Sequence, residues 1–247
     1  MDDITFTSLQ NATLFGDALL KIIEILPFSA HLRDIKTGKY FLANHFQAKN
    51  HGCEKIEQVL DINYSDIHQI RREKIAQLNG ALVLEDEYKN FIDKANYRSE
   101  QEKGPFKFKD ICLCPTGFIY IGILRKIPIL GEKKKAVAMF TCSEEITRQT
   151  DLFDLYYLYK KHYPKRLAIQ HFLTYLTLDS YFTTLPTDGE VLTILSIYRD
   201  SVHKAAANLL HISPKTIESH LKNIKVKLQK QIDLQTVVMK LRIAQTI

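Results

Sequence analysis

No tryptophan occurs anywhere in this sequence, cysteine occurs only four times in 247 residues, and no stretch approaches the roughly 18 uncharged apolar residues of a membrane-spanning helix. Cys53, Cys112, Cys114 and Cys142 are too few to staple a chain of this length, so reduced thiols in a cytoplasm are expected. The first residues, MDDITFTS, are acidic and lack the basic and apolar segments of an export signal, so neither export nor membrane anchoring is expected. Catalytic signatures are missing too. There is no Gly-rich phosphate loop, no G-x-S-x-G elbow, and no His pair at metal spacing with a carboxylate, and the chain reads as a non-enzyme. Cys112 and Cys114 point to one face of a strand, yet no nearby His or Cys completes a set; they read as core thiols, and no metal is expected.

What is present is ordinary for a globular protein of two domains: 45% hydrophobic and 25% charged residues. The charge is unevenly placed. Of a net +6, the stretch from Thr183 onward carries nine Lys and Arg against five Asp and Glu, which favours a nucleic-acid partner there.

The stretch His211 to Leu228, HISPKTIESHLKNIKVKL, shows why. Ser213 can cap an orphan backbone N–H, and Pro214 suits the first helical position because the N–H it lacks would have no partner. Ile217, Leu221, Ile224 and Leu228 then fall on one narrow stripe, predicting a helix over 214–230 with one face toward a core. The other face carries Lys215, Glu218, Ser219 and Lys222, and from Lys215 to Lys230 there are five lysines and one carboxylate. Such a face attracts phosphates and offers hydrogen-bonding groups to base edges. Val202 to Leu210 reads as a second short helix, joined to the first by His211, Ile212 and Ser213, which is helix-turn-helix punctuation.

These residues resemble the LuxR-type helix-turn-helix family, whose recognition segment commonly reads I-S-x-K-T-V-x-x-H-x-x-N-I-x-x-K-L. The matching positions are Ile212, Ser213, Lys215, Thr216, Ile217 in place of Val, His220, Asn223, Ile224, Lys227 and Leu228. The family's opening L-T-x-R-E-x-E-V-L is matched in its second half, by Glu190, Val191 and Leu192; Thr187 stands for the Arg and Asp188 for the first Glu, so the local salt bridges are expected to differ. The resemblance implies an all-α four-helix DNA-binding domain over 183–247, acting as a dimer on double-stranded DNA, with RNA polymerase a further candidate partner. It places Glu218, Ser219 and Lys222 toward bases and Lys215, Thr216 and Lys227 toward phosphates. His220 is expected to pack. The last helix, Leu234 to Ile247, has a second apolar stripe, and Met239 and Ile243 on it are assigned to the dimer contact.

The first half of the chain reads differently. Asn11 to Leu26 is an amphipathic helix capped by Asn11 or Ser8, suited either to pair with its copy or to cover a sheet of its own domain. Two short strands surround Lys36-Thr37-Gly38-Lys39 within Ser29 to Asn44. Short helical pieces follow at His45 to Gly52, Lys55 to Val59 and Ser65 to Asn79, with a firmer helix ending near Ala95. Phe106 to Cys114, Phe118 to Ile127 and Ala136 to Cys142 then read as strands. Phe41, Phe108, Cys112, Cys114, Ile121, Ile123 and Phe140 are expected to point inward by alternation.

This order is similar to a PAS sensor domain, an antiparallel sheet with flanking helices. Asp34-Ile35-Lys36-Thr37-Gly38-Lys39-Tyr40 with Asn44, Val59-Leu60-Asp61-Ile62 to Asp66-Ile67, and Glu144-Glu145-Ile146-Thr147 carry the similarity. The domains so drawn are a PAS-like sensor over 1–148, a helical connector over 149–182 and the DNA-binding domain over 183–247. The connector is rich in Leu and Tyr and is not a Gly/Ser tether; it is expected to pack on the sensor sheet, in a dimer interface, or as core helices of the sensor. His45, His51 and His68 lie where a haem-binding PAS domain could keep its ligand, but nothing singles one out; no cofactor is assigned, and a small-molecule ligand of unknown identity is left open. The function expected is a transcriptional regulator modulated by a signal or partner at its N-terminal domain. Two alternatives stand beside it. An acyl-homoserine-lactone receptor would suit the length, although such receptors line their pocket with Trp and this chain has none. A protein-interaction module without sequence-specific DNA binding is the other.

Overall fold

The computed structural model describes residues 15–102, 104–131 and 133–246. The chain divides into two compact units, Met1–Ile146 and Thr147–Ile247.

In the first unit, α1 (Phe15–Ile25) leads into β1 (Ser29–Asp34) and β2 (Tyr40–Ala43). The hairpin turn works as its sequence suggests. Asp34 Oδ1 accepts from the Thr37 backbone and hydroxyl, and Gly38 takes φ +72°, a conformation that side chains disfavour. Helices α2 (His45–Asn50), α3 (Tyr64–Gln77) and α4 (Leu82–Glu102) follow, with a short 3-10 turn at Ile56–Gln58. The helix expected to end near Ala95 therefore runs on to Glu102. Strands β3 (Phe106–Leu113), β4 (Ile119–Leu130) and β5 (Ala136–Glu145) complete one antiparallel sheet of order β2-β1-β5-β4-β3. An antiparallel five-stranded sheet with flanking helices is PAS-like. β4 extends past Ile127 through Pro128, which lies beyond the last β3 pair, Phe106 with Lys126, where a missing N–H disturbs no neighbour.

Asn44, fully buried, ties these pieces together. Its Oδ1 caps α2 by accepting from Gln47 N at 3.0 Å and also accepts from Ala30 N at 3.2 Å, while its amide donates to Phe28 O at 2.7 Å. The outer face of the sheet packs Ala30, Leu32, Ala138 and Cys142 against Ile23 of α1, with Phe41 and Phe140 beside them. The leading helix thus covers its own sheet, although its expected caps, Asn11 and Ser8, lie outside the described residues.

The inward set is corrected here. Tyr120, Leu124 and Lys126 of β4 line the inner face, so Ile121 and Ile123, one position out of step, belong to the outer one, as do Phe41 and Phe140. Alternation fixes which residues of one strand share a face. It does not say which face of each strand meets the core, and that follows only from cross-strand register.

The second unit begins with α5 (Leu152–His162) and α6 (Lys165–Tyr175) and continues with α7 (Asp188–Arg199), α8 (His203–Leu210), α9 (Pro214–Lys227) and α10 (Leu234–Thr246). The aromatic helices expected to form a connector or to pack on the sensor are core helices of this unit. Tyr156, Tyr159 and Phe172 are fully buried between α5 and α6, with ring centroids of Tyr156 and Phe172 4.9 Å apart. The Tyr156 hydroxyl donates to Asp188 Oδ1 at 2.8 Å and Lys160 pairs with the same carboxylate at 3.0 Å, joining α5 to the start of α7. Ile197, Ala206, Ala207, Ile217 and Val238 form the core of α7 to α10.

Candidate functional site

The positions of α8 and α9 follow from local chemistry. His211 ends α8 in the left-handed conformation (φ 54°, ψ 41°), and Ser213 caps α9 by accepting from Thr216 N at 3.1 Å, with Pro214 in the first turn. Small residues let the two helices meet: Ala206 and Ala207 are buried against Ile217, with Ile212 packed beneath the turn. Ile217, Ile224 and Leu228 are buried along the inner stripe. The polar face is outward. Lys215, Glu218, Ser219, Lys222, Asn223 and Lys225 are all exposed, and among the described residues no carboxylate pairs with Lys215, Lys222 or Lys225. Thr216 is half-buried, its hydroxyl 2.8 Å from that of Ser213 in the cap. His220 is half-buried with its ring against Gly189, where a Cβ would meet Nε2 at 3.0 Å.

Two expectations about this helix are corrected. It ends at Lys227 rather than at 230, because Leu228 turns extended and bridges to Phe182, while Gln229 N donates to Tyr181 O at 2.9 Å. Lys227 does not extend toward solvent as a phosphate contact would. Its ammonium donates to Glu190 Oε2 at 2.7 Å, and Glu190 is 2% exposed. The same carboxylate oxygen accepts from Thr187 N at 2.7 Å, closing the capping box of α7. Hydrogen bonds and the nearby Lys227 charge hold Glu190 below the ordinary carboxylate value despite its burial. On α10, Val237, Val238 and Leu241 are buried, whereas Met239 is 64% and Ile243 44% exposed.

The first unit holds a second feature that charge patterning did not reveal, a polar cavity of about 60 Å³ between the inner sheet face and α2 to α4. Cross-strand register puts His31, Thr141 and Lys126 in one row. Asp110 enters from β3, and Tyr64, Tyr88 and Asn96 from the helices. One charge pair here is closed: Arg71 makes two bonds to Glu85, at 2.8 and 3.1 Å, and two more to Asn50 O and Leu113 O, both at 3.0 Å. Lys126 and Asp110 are different. Both are buried and no ion pair joins them. Burial, aided by the Arg33 charge, lowers the Lys126 ammonium to about 7, and burial raises the Asp110 carboxyl to about 6 against the pull of Arg71. His51 is pushed down to about 3 by burial and by Arg71, so its ring is neutral. Cys112 and Cys114 also line this space as buried thiols, the former held above its ordinary value by its bond to Cys114 and by burial. Among the described residues no group of His, Cys, Asp and Glu is arranged to hold a metal ion.

A signal for one of these groups was present in the strands. Asp110 shares its parity with Phe106, Phe108 and Cys112 and so lies on the apolar step of β3, whereas Lys126 shares its step with Tyr120 and Leu124 opposite a step of Ile119, Ile121, Ile123, Ile127 and Ile129, and its parity marks nothing.

No family model matches the sequence, and no curated protein matches it. Solved structures do resemble the fold. VqmA of Vibrio cholerae in a ligand and DNA complex is 14% identical, covers 93% of this chain and 88% of its own, and superposes with a TM-score of 0.41. A phage VqmA bound to DPO is 13% identical over 98% and 93%, with a TM-score of 0.38. The PAS domain of BvgS from Bordetella pertussis is 17% identical over 56% of this chain and 90% of that domain, with a TM-score of 0.42. Likenesses this distant bear on neither ligand nor partner.

Proposed function

We propose that this chain is a DNA-binding transcriptional regulator of the LuxR-type helix-turn-helix class, with an N-terminal PAS-like domain that senses a small ligand. The observation that carries it is the outer face of α9, where exposed lysines flank Glu218 and Ser219 on a helix held by a short turn against α8. Lysines at its edges draw phosphates, and Glu218, Ser219 and Lys222 reach base edges in the major groove. Lys215 and the capped N-terminus of α9, with Thr216, meet the backbone. Met239 and Ile243 of α10 supply the contact of a symmetric dimer, which would read two half-sites about one helical turn apart. The regulator acts in the cytoplasm and is not an enzyme. Among the described residues no helix is long and apolar enough to cross a membrane. A polar cavity of about 60 Å³ favours a small ligand over one that carries a long acyl chain.

The test is selection of bound fragments from genomic DNA by the purified protein beside Glu218→Ala. The wild type is expected to enrich a two-fold symmetric motif that the variant relaxes at one position per half-site. A wild type that retains no DNA at low salt, or binding that does not fall with added salt, overturns the reading.

A further inference from the structure

Native interiors leave few buried polar atoms without a partner, so a concentration of them in one place marks a site that water or a polar ligand fills. Six of the side chains that line the first unit's cavity each bury a polar atom without a hydrogen-bond partner among the described residues: His31 Nδ1, His51 Nδ1, Tyr64 Oη, Asn96 Oδ1, Asp110 Oδ1 and Thr141 Oγ1. Beside them stands Lys126, 4% exposed, whose ammonium makes no hydrogen bond or ion pair among the described residues. We propose that this cavity binds a small zwitterion of the α-amino acid class, its carboxylate held at Lys126 and its ammonium at Asp110. The inference rests on the reading of the first unit as a ligand sensor and names the ligand's chemistry.

Both ends of the cavity are built for this. Around Lys126 the partners include donors: Thr141 shares its row on the sheet, and His31 follows in the same row with a neutral ring whose tautomer can adapt. Around Asp110 the wall is aromatic, and the Tyr88 hydroxyl already donates to Asp110 Oδ2 at 3.3 Å, leaving Oδ1 open to an ammonium; Asn96 lines the same cavity and offers its Oδ1. A buried charge without a counter-charge is costly, and a zwitterion gives Lys126 and Asp110 one each while leaving the net charge of the cavity unchanged. A simple carboxylate would satisfy Lys126 and face Asp110 with a like charge. A simple amine would do the reverse, and a neutral amide would supply hydrogen bonds without neutralising either group. Size narrows the class further. At about 10–15 Å³ for each water held, 60 Å³ accommodates roughly four to six water-sized groups, the scale of the smallest amino acids.

The experiment is calorimetric titration of the full chain with glycine, L-alanine and L-serine, beside propionate, ethylamine and acetamide. At least one amino acid is expected to bind once per chain, with every single-ended or neutral probe at least tenfold weaker. Lys126→Met and Asp110→Asn should each weaken that binding at least tenfold. A melting temperature for Lys126→Met at or above that of the wild type would show a lysine serving the ligand rather than the fold. Thr141→Val removes one hydroxyl and is expected to weaken binding several-fold if either charge variant fails to fold. Acetamide binding as tightly as the amino acids, binding by none of the three, or wild-type affinity in both charge variants overturns the proposal. DNA retention by the unliganded wild type is measured separately. A chain that binds an amino acid but no DNA keeps the cavity assignment and loses the regulator, and the opposite pattern loses only the zwitterion.

Discussion

At the residue scale the lysines of α9 divide by what they face. Lys222 is exposed beside Glu218 and Ser219, so Lys222→Ala is expected to cost about 1–3 kcal/mol at the specific site and little on random DNA, measured by competition binding. Lys215→Ala should weaken all sequences alike and reduce the salt slope by about 1. Lys227 belongs elsewhere. Its removal leaves the Glu190 carboxylate buried without its counter-ion, so Lys227→Ala should lower stability by about 1–3 kcal/mol in urea unfolding. Because Glu190 is held below its ordinary 4.5 when folded, its contribution is present above that pH and lost as pH falls through the depressed value. The difference between Lys227→Ala and wild type should shrink accordingly in acid. Lys126 has the opposite sign. Its ammonium falls from 10.5 to about 7 on folding, so the unfolded chain holds the proton more firmly and stability rises as pH climbs from 7 to 10.5. Lys126→Met should therefore be more stable than the unliganded wild type below pH 7, by up to about 1–4 kcal/mol, with the advantage shrinking toward alkaline pH.

At the element scale, legibility in the sequence followed local chemistry. Ser213-Pro214, the stripe from Ile217 to Leu228, the Gly38 turn and the Asn44 cap on Gln47 all act over short stretches of chain, and each is found where its pattern places it. The end of α9 was not legible, because Leu228 leaves the helix for a partner, Phe182, that is distant in sequence. The strand faces escaped for the same reason. Phe41 and Tyr40 are neighbours, and only pairing across the sheet shows that the tyrosine meets the cavity while the phenylalanine meets α1. The cavity's charges were hidden most deeply, since Lys126 and Arg71 look like solvated residues until burial and partners are known. For α10, Met239→Asp is expected to give a monomer in light scattering, with binding to a full operator reduced to that of a half-site, if the exposed stripe is the dimer contact.

At the scale of the molecule, the division at Thr147 assigns the aromatic helices to the unit that carries α9. A fragment of residues 147–247 is expected to unfold in one cooperative step, whereas one of residues 183–247 lacks Tyr156 and Phe172 and exposes the faces they cover. The shorter fragment should be less stable by at least roughly 3 kcal/mol, read from the denaturation midpoint and slope. The sequence's own division, a connector between two domains, read polarity and aromatic content correctly but had no means of knowing which neighbour the helices join. Their bond to the first turn of α7, through Tyr156 and Asp188, decides it.

The distribution of thiols makes the two units distinguishable without any alteration of the chain. All four cysteines lie in the first unit and all are buried, at 5 to 8% exposure. A thiol reagent reaches them only when that unit opens, and the second unit is silent to it. Cysteine modification is therefore a clock for one half of the molecule alone. An occupant of the cavity should slow it at Cys112 and Cys114, while an operator bound at α9 leaves the second half's opening unrecorded.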